Sequence, residues 1–118
     1  MFAETLRKVI DNVDGGIGGV IMGLDGIPVE TYMRQKERLD INTIGMEFSF
    51  ILAQVRKAAD SLAVGTCEEM SVKAERLVLV VRMLDPRYFL AVALQPEGNF
   101  GKARYLMRLA APRLVEQL

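Results

Sequence analysis

Histidine and tryptophan are absent from the 118 residues, and cysteine occurs once. Without histidine the chain lacks the side chain best matched to proton transfer near neutral pH, which is also the commonest metal ligand. Histidine-based catalytic triads and histidine-ligated zinc sites are excluded with it. The lone Cys67 can close no intrachain disulfide and build no thiolate metal cage, and it reads as a buried or half-buried structural thiol. A single thiol fits a reducing compartment, so a cytoplasmic location is expected. Charge of one sign is also missing: 15 basic residues balance 15 acidic ones. A chain without cationic excess is not drawn to phosphate backbones or anionic lipid, and no nucleic-acid partner is expected. Long apolar runs are missing too. Ile17 to Leu24 and Leu77 to Val81 have strand length, well short of the roughly 20 residues that cross a bilayer, so no membrane insertion is expected. Met1 to Val13 is interrupted by Glu4, Arg7, Lys8 and Asp11 and has no signal-peptide core.

What remains is an ordinary globular composition, 51% hydrophobic and 25% charged, of a length that fits one domain spanning residues 1–118. Phe2, Leu6, Val9, Ile10 and Val13 recur at helical spacing and Gly15 offers a helix stop, which predicts a first helix. A β-rich run from Ile17 to Leu24, then Asp25-Gly26, then a run from Ile27 to about Met33 predicts a hairpin with a type I′ turn. Pro28 has no N–H to give, so the second strand belongs at a sheet edge. Arg34 to Asp40 reads as a solvated connection, with Asp40 placed to cap the long helix that follows.

That helix carries Ile41, Ile44, Phe48, Ile51, Val55, Ala59 and Leu62 on the stripe predicted to face the sheet. Met46, Phe50 and Ala53 form a second stripe on its flank, either a broader core contact or a subunit interface. Glu68 to Glu75 alternates, with Met70, Val72 and Ala74 on one side and Glu69, Ser71, Lys73 and Glu75 on the other, the pattern of a half-buried strand. Leu77 to Met83 and Tyr88 to Leu94 are apolar on both faces and belong in the middle of a sheet. A last helix runs over Gly98 to Leu118, capped by Asn99 and kinked or stopped by Pro112. The predicted order is α-β-β-α-β-β-β-α.

Gly15-Gly16-Ile17-Gly18-Gly19 resembles a phosphate loop only in composition. It has no lysine and leads into a strand, and Ile21 stands where a dinucleotide motif needs its third glycine. These glycines instead predict a helix stop and bare backbone where another element crosses the sheet. Glu68-Glu69 and Asp11 with Asp14 read as solvated charge. Lys102, Arg104, Arg108 and Arg113, set against Glu116, read as a solvated helix face or a rim for an acidic protein partner, since Tyr105 alone does not make a base-stacking surface.

The hairpin Val20-Ile21-Met22-Gly23-Leu24-Asp25-Gly26-Ile27-Pro28-Val29, the strand ending Tyr88-Phe89-Leu90-Ala91-Val92-Ala93-Leu94, and Gly98-Asn99-Phe100-Gly101-Lys102-Ala103-Arg104-Tyr105 together resemble the roadblock, or dynein light-chain, family. The resemblance spans nearly the whole chain and is greatest to bacterial MglB-type regulators of small Ras-like GTPases. It implies an α/β (α+β) fold with a five-stranded antiparallel sheet, order 2-1-5-4-3, the long helix on one face and the terminal helices on the other. It also implies a homodimer made by the third strand and the long helix, a helical platform on which a GTPase docks, and no cofactor. Carried onto this chain, the interface comprises Glu69, Met70, Ser71, Val72 and Lys73 with Met46, Phe50 and Ala53, and the partner surface comprises Gln54, Lys57 and Arg56. A two-fold centred at Ser71 sets Glu69 opposite Lys73 of the second copy, whereas one centred at Val72 sets Glu69 against Glu75.

The expected function is therefore a homodimeric protein-binding module that regulates a small Ras-like GTPase, up to activating hydrolysis by binding alone, with no catalytic residue of its own. The alternative is a structural adaptor or light-chain scaffold in a larger assembly. Arg34, Arg38 and Arg56 lie on or near the long helix, and nothing in the sequence nominates one as an inserted arginine.

Overall fold

The computed structural model describes residues 1–34 and 39–118. In chain order the elements are α1 (Phe2–Asp11), β1 (Gly16–Gly23), β2 (Pro28–Met33), α2 (Ile41–Leu62), β3 (Glu69–Lys73), β4 (Val78–Met83), β5 (Tyr88–Leu94) and α3 (Phe100–Val115). The strands form one antiparallel sheet in the order β2-β1-β5-β4-β3. The predicted element order, the edge position of the Pro28 strand and the central position of the two doubly apolar strands all hold.

Strand alternation divides the core in two. Ile21, Val78, Val80, Leu90, Val92 and Leu94 pack against Leu6, Val9 and Ile10 of α1 and Met107 and Leu114 of α3. On the other face Val20, Met22, Leu79, Val81, Phe89 and Ala91 pack against Ile41, Ile44 and Leu52 of α2. Side chains on successive strand residues point to opposite faces, so β1, β4 and β5 must be apolar throughout to feed both layers.

Two glycines set how closely the helices approach. A Cβ on Gly16 would stand 2.7 Å from the carbonyl oxygen of Ile10 and 3.1 Å from that of Val13, so β1 passes directly beneath the end of α1. One on Gly45 would stand 2.9 Å from Cε of Met22, which brings α2 down onto β1. The first contact is the predicted crossing of bare backbone.

Two local expectations are corrected. The hairpin turn is not type I′: Gly26 has φ +85° and Asp25 has no positive φ. Instead the Gly26 N–H donates to Gly23 O at 2.9 Å, and Asp25 Oδ1 accepts from the Ile27 N–H at 3.0 Å, so the carboxylate holds the loop that a second positive φ would have closed. Pro112 does not stop α3, which continues to Val115; the residue is exposed and lies in the last turns, where the missing N–H costs a single bond. The expected solvated connection is exposed at Arg34, Leu39 and Asp40, residues 35–38 lying outside the described residues; Arg34 Nη1 also donates to the carbonyls of Val13 at 3.1 Å and Ile10 at 3.5 Å and so ties the end of β2 to α1.

The caps follow the sequence. Asp40 accepts from the Asn42 N–H at 3.1 Å and Asn99 from the Lys102 N–H at 3.0 Å, each satisfying an orphan donor of the first helical turn.

Candidate protein-interaction surface

Strand β3 is an edge, and its hydrogen-bonding phase can be read from its ends. The Met83 N–H donates to Glu68 O at 3.0 Å and the Ala74 N–H to Leu77 O at 2.8 Å, in register with the pairs Glu69↔Arg82 through Lys73↔Val78. Ladder bonds alternate along an antiparallel pair, so Met70 and Val72 also direct their backbone groups at β4. Glu69, Ser71 and Lys73 therefore turn theirs away from the sheet, toward open space. Their side chains face the α3 layer, while Met70 and Val72 face α2 and stay half-buried there. Among the described residues nothing covers this edge.

Helix α2 places its apolar residues on three sides. Its inner stripe is Ile41, Ile44, Gly45, Ser49 and Leu52, all buried. That corrects the predicted stripe in part: Ile41 and Ile44 belong to it and half-buried Phe48 packs against the same core, but Ile51 is 45% exposed and Leu62 71% exposed. The small residues Gly45 and Ser49 take the inner positions because the helix lies so close to β1.

The flank of α2 toward the hairpin is identified by its contacts. Thr31 Oγ1 of β2 donates to Asn42 Oδ1 at 2.8 Å, and a Cβ on Gly26 would stand 3.7 Å from Met46 Cγ and 3.8 Å from Ser49 Oγ. At about 100° of rotation per residue, Met46 and Ala53 share this flank, Phe50, Gln54 and Lys57 crown the helix, and Ile51 and Leu62 lie on the opposite flank, toward β3. Phe50 is 74% exposed. Of the eight residues expected at the interface, Glu69 to Lys73 thus form one open edge and Phe50 crowns the neighbouring helix. Met46 and Ala53 sit on the flank of α2 toward the hairpin, turned away from β3.

Ile27 was missed by the sequence reading. It is 64% exposed at the hairpin tip and extends the exposed apolar surface of Met46 and Phe50 onto the hairpin. The available signal was an aliphatic residue immediately after the Asp-Gly turn, where a solvated loop calls for a polar one.

The candidate arginines are anchored elsewhere. Arg56 Nη1 donates to Pro86 O at 2.8 Å, which holds α2 to the β4–β5 turn and leaves Gln54 and Lys57 as the exposed polar part of the crown. Arg34 is tied to α1 as described, and Arg38 lies outside the described residues.

Glu69 is engaged within its own chain. Its carboxylate accepts from Arg104 Nε at 3.0 Å and Nη2 at 2.5 Å, a bidentate pair linking β3 to α3. That hydrogen bonding holds the Glu69 carboxyl below its ordinary range although partial burial opposes it, and Arg104, Arg82 and Arg108 add attraction.

A groove of about 750 Å³ separates α1 from α3, lined by Met1, Lys8, Leu106, Leu109, Arg113 and Glu116 among others. It is open and mixed in charge. Among the described residues no group of three or more acidic or cysteine side chains is placed to hold a metal ion. No described helix is long and apolar enough to cross a membrane. Cys67 is half-buried, with Sγ 3.7 Å from Glu69 O.

Comparison with solved structures finds MglC from Myxococcus xanthus at 40% identity, covering 98% of this chain and 97% of that one with a TM-score of 0.70. The gliding protein MglB from Thermus thermophilus matches at 16% identity over 96% of this chain and 84% of that one, TM-score 0.84. A roadblock/LC7 domain from Streptomyces avermitilis matches at 15% identity over 94% and 92%, TM-score 0.81. No family model and no curated protein matches the chain.

Proposed function

Because this chain belongs to the roadblock family, together with the MglC protein it resembles at 40% identity, we propose that it is a homodimeric protein-binding module that regulates a small Ras-like GTPase. The observation that carries the dimer is the free edge of β3. Its outward backbone groups belong to Glu69, Ser71 and Lys73, which are symmetric about Ser71. A two-fold through Ser71 lets each of the three exchange two hydrogen bonds with a second copy, using the whole strand. Pairing moved to Val72 would push Glu75 of the β3–β4 turn into the ladder and leave fewer residues paired.

The same two-fold brings two α2 helices side by side above the joined sheet. Ile51 and Leu62 face the seam, and Phe50, Gln54 and Lys57 crown it. Exposed Phe50, Met46 and Ile27 give each copy an apolar strip that runs to the hairpin, of the kind that marks a protein-docking surface. Such a surface regulates a GTPase by fixing its switch segments in one arrangement, which requires no reacting group from this chain.

GTP turnover by a Ras-like GTPase from the same genome, measured with and without this protein, tests the proposal. Turnover that changes, and loses the change in Phe50→Asp, supports regulation. Complex formation that is equal in the GDP and GTP states and leaves turnover unaltered supports the adaptor reading instead.

A further inference from the structure

On the α3 face of the β3 edge, cations outnumber anions. Arg82 is the β4 residue directly opposite Glu69, Arg104 grips the Glu69 carboxylate from α3, and Arg108, one turn further along, stands with its guanidinium carbon 5.6 Å from the Tyr105 ring centroid. All three act on the one carboxylate of Glu69. Arg104 already satisfies that carboxylate with two bonds, so it has little left to offer the other two. The Nε of Arg82 is buried and without a hydrogen-bond partner among the described residues. A buried guanidinium N–H left unpaired is costly, so Arg82 offers its remaining N–H groups at this site.

The proposed dimer enlarges the cluster, and this inference rests on that reading. A two-fold at Ser71 sets Lys73 of the partner subunit directly opposite Glu69, with Cβ atoms about 5 Å apart. Each end of the joined β3 pair then presents Arg82, Arg104, Arg108 and the partner's Lys73 around a single carboxylate, and the two ends lie within one strand length of each other. Positive charge exceeds negative there, Glu69 at the start of β3 and Glu75 just beyond its end being the acidic residues of this segment on this side. The chain as a whole is electrically balanced, so this excess is a local feature of the face opposite the α2 crown.

We infer that this composite basic site, completed by the second copy, docks an acidic segment of a partner protein, with side-chain carboxylates entering between Arg82, Arg104 and Arg108. Carboxylates match the fork of a guanidinium in a bidentate way. A protein segment is favoured over nucleic acid because Tyr105, one of two exposed aromatics on α3 with Phe100, is already covered by Arg108. It is favoured over a membrane because the Glu69 carboxylate stands in the middle of the patch. The site lies across the sheet from the α2 crown, so an acidic partner and a GTPase could bind the same dimer at once.

The test is fluorescence anisotropy of a labelled poly-glutamate peptide titrated with the full chain, with phosphatidylserine vesicles and a short DNA duplex as parallel probes. Binding to the peptide that weakens with salt is expected, with at least about tenfold loss in Arg104→Gln combined with Arg108→Gln. The same direction is expected for Arg82→Met and Lys73→Glu, and no change for Lys8→Glu on α1. Circular dichroism confirms that each variant is folded. No peptide binding by the wild-type chain, binding indifferent to the arginines, or tighter binding to vesicles or duplex would overturn the inference. Sedimentation of the same samples separates the two claims. A dimer that ignores the peptide refutes the basic site alone, whereas a monomer whose peptide binding is unaffected by Lys73→Glu refutes the dimer and the shared site with it.

Discussion

Glu69 and Arg104 make the pair whose consequences are easiest to measure. The Arg104 guanidinium lowers the Glu69 carboxyl from its ordinary value of 4.5, so the folded state holds the proton less tightly than the unfolded chain does. Stability from this contact is therefore fully present above about pH 4.5 and is lost as the pH falls through the lower folded-state value. Glu69→Gln should flatten that part of the acid limb in thermal unfolding followed against pH, with a small amplitude because both side chains are partly exposed. An unchanged pH profile would show that the pair contributes nothing. Glycine gives the second test at this scale. Gly16→Ala must push against the fixed carbonyls of Ile10 and Val13 and should cost about 1–3 kcal/mol. Gly45→Ala meets side chains and not backbone, the end of Met22 at 2.9 Å and Val20 Cγ1 at 3.2 Å, and regains up to about 1 kcal/mol of helix propensity, so it should cost less. Chemical denaturation that ranks the two in the opposite order would contradict the packing described for α1 and α2.

At the scale of elements, β3 makes the sharpest prediction because its two sides differ in what they hydrogen-bond. Proline at Ser71 removes an N–H that points away from the sheet, a change that edge strands tolerate. Proline at Val72 removes one that points at β4, breaks a ladder hydrogen bond, and should destabilise the fold by more than the Ser71 change does. Ser71→Pro should thus leave the melting transition of a dilute sample nearly intact while abolishing self-association; if both variants unfold alike, the assigned hydrogen-bonding phase is wrong. Much at this scale was legible in the sequence. Pro28 marked one edge, the alternation around Ser71 the other, and the doubly apolar β4 and β5 the centre, because each pattern has one physical reading. Helix α2 was less legible. Apolar residues surround it, so periodicity alone supported a stripe through Ile51 and Leu62, while the inner face is set by Gly45 and Ser49, chosen for size and not hydrophobicity. The hairpin turn was misread because Asp25 closes it with a side-chain hydrogen bond that the Asp-Gly pair does not reveal. The residues expected at an interface divided in the same way. Alternation placed the five of β3 on one strand, but Met46 and Ala53 could be assigned to a flank only once the contacts with Gly26 and Thr31 were known.

The whole molecule is a three-layer domain with surfaces of different character on its two sides. Above the sheet, Ile27, Met46, Phe50, Ile51 and Leu62 leave apolar area exposed along α2 and the hairpin. Below it, Arg82, Arg104 and Arg108 concentrate positive charge at the β3 edge. Both sides meet at the same strand, so pairing of β3 with its copy would join two sheets into one and double each surface across a common two-fold. Membership of the roadblock family gives the two surfaces a known architectural setting. Everything proposed for partners depends on self-association through this edge. Sedimentation velocity of the full chain at tens of micromolar tests it most directly. The predicted result is a species of twice the 13.1 kDa chain mass that reverts to single chains in Ser71→Pro, and a wild-type chain that sediments as a monomer would contradict it.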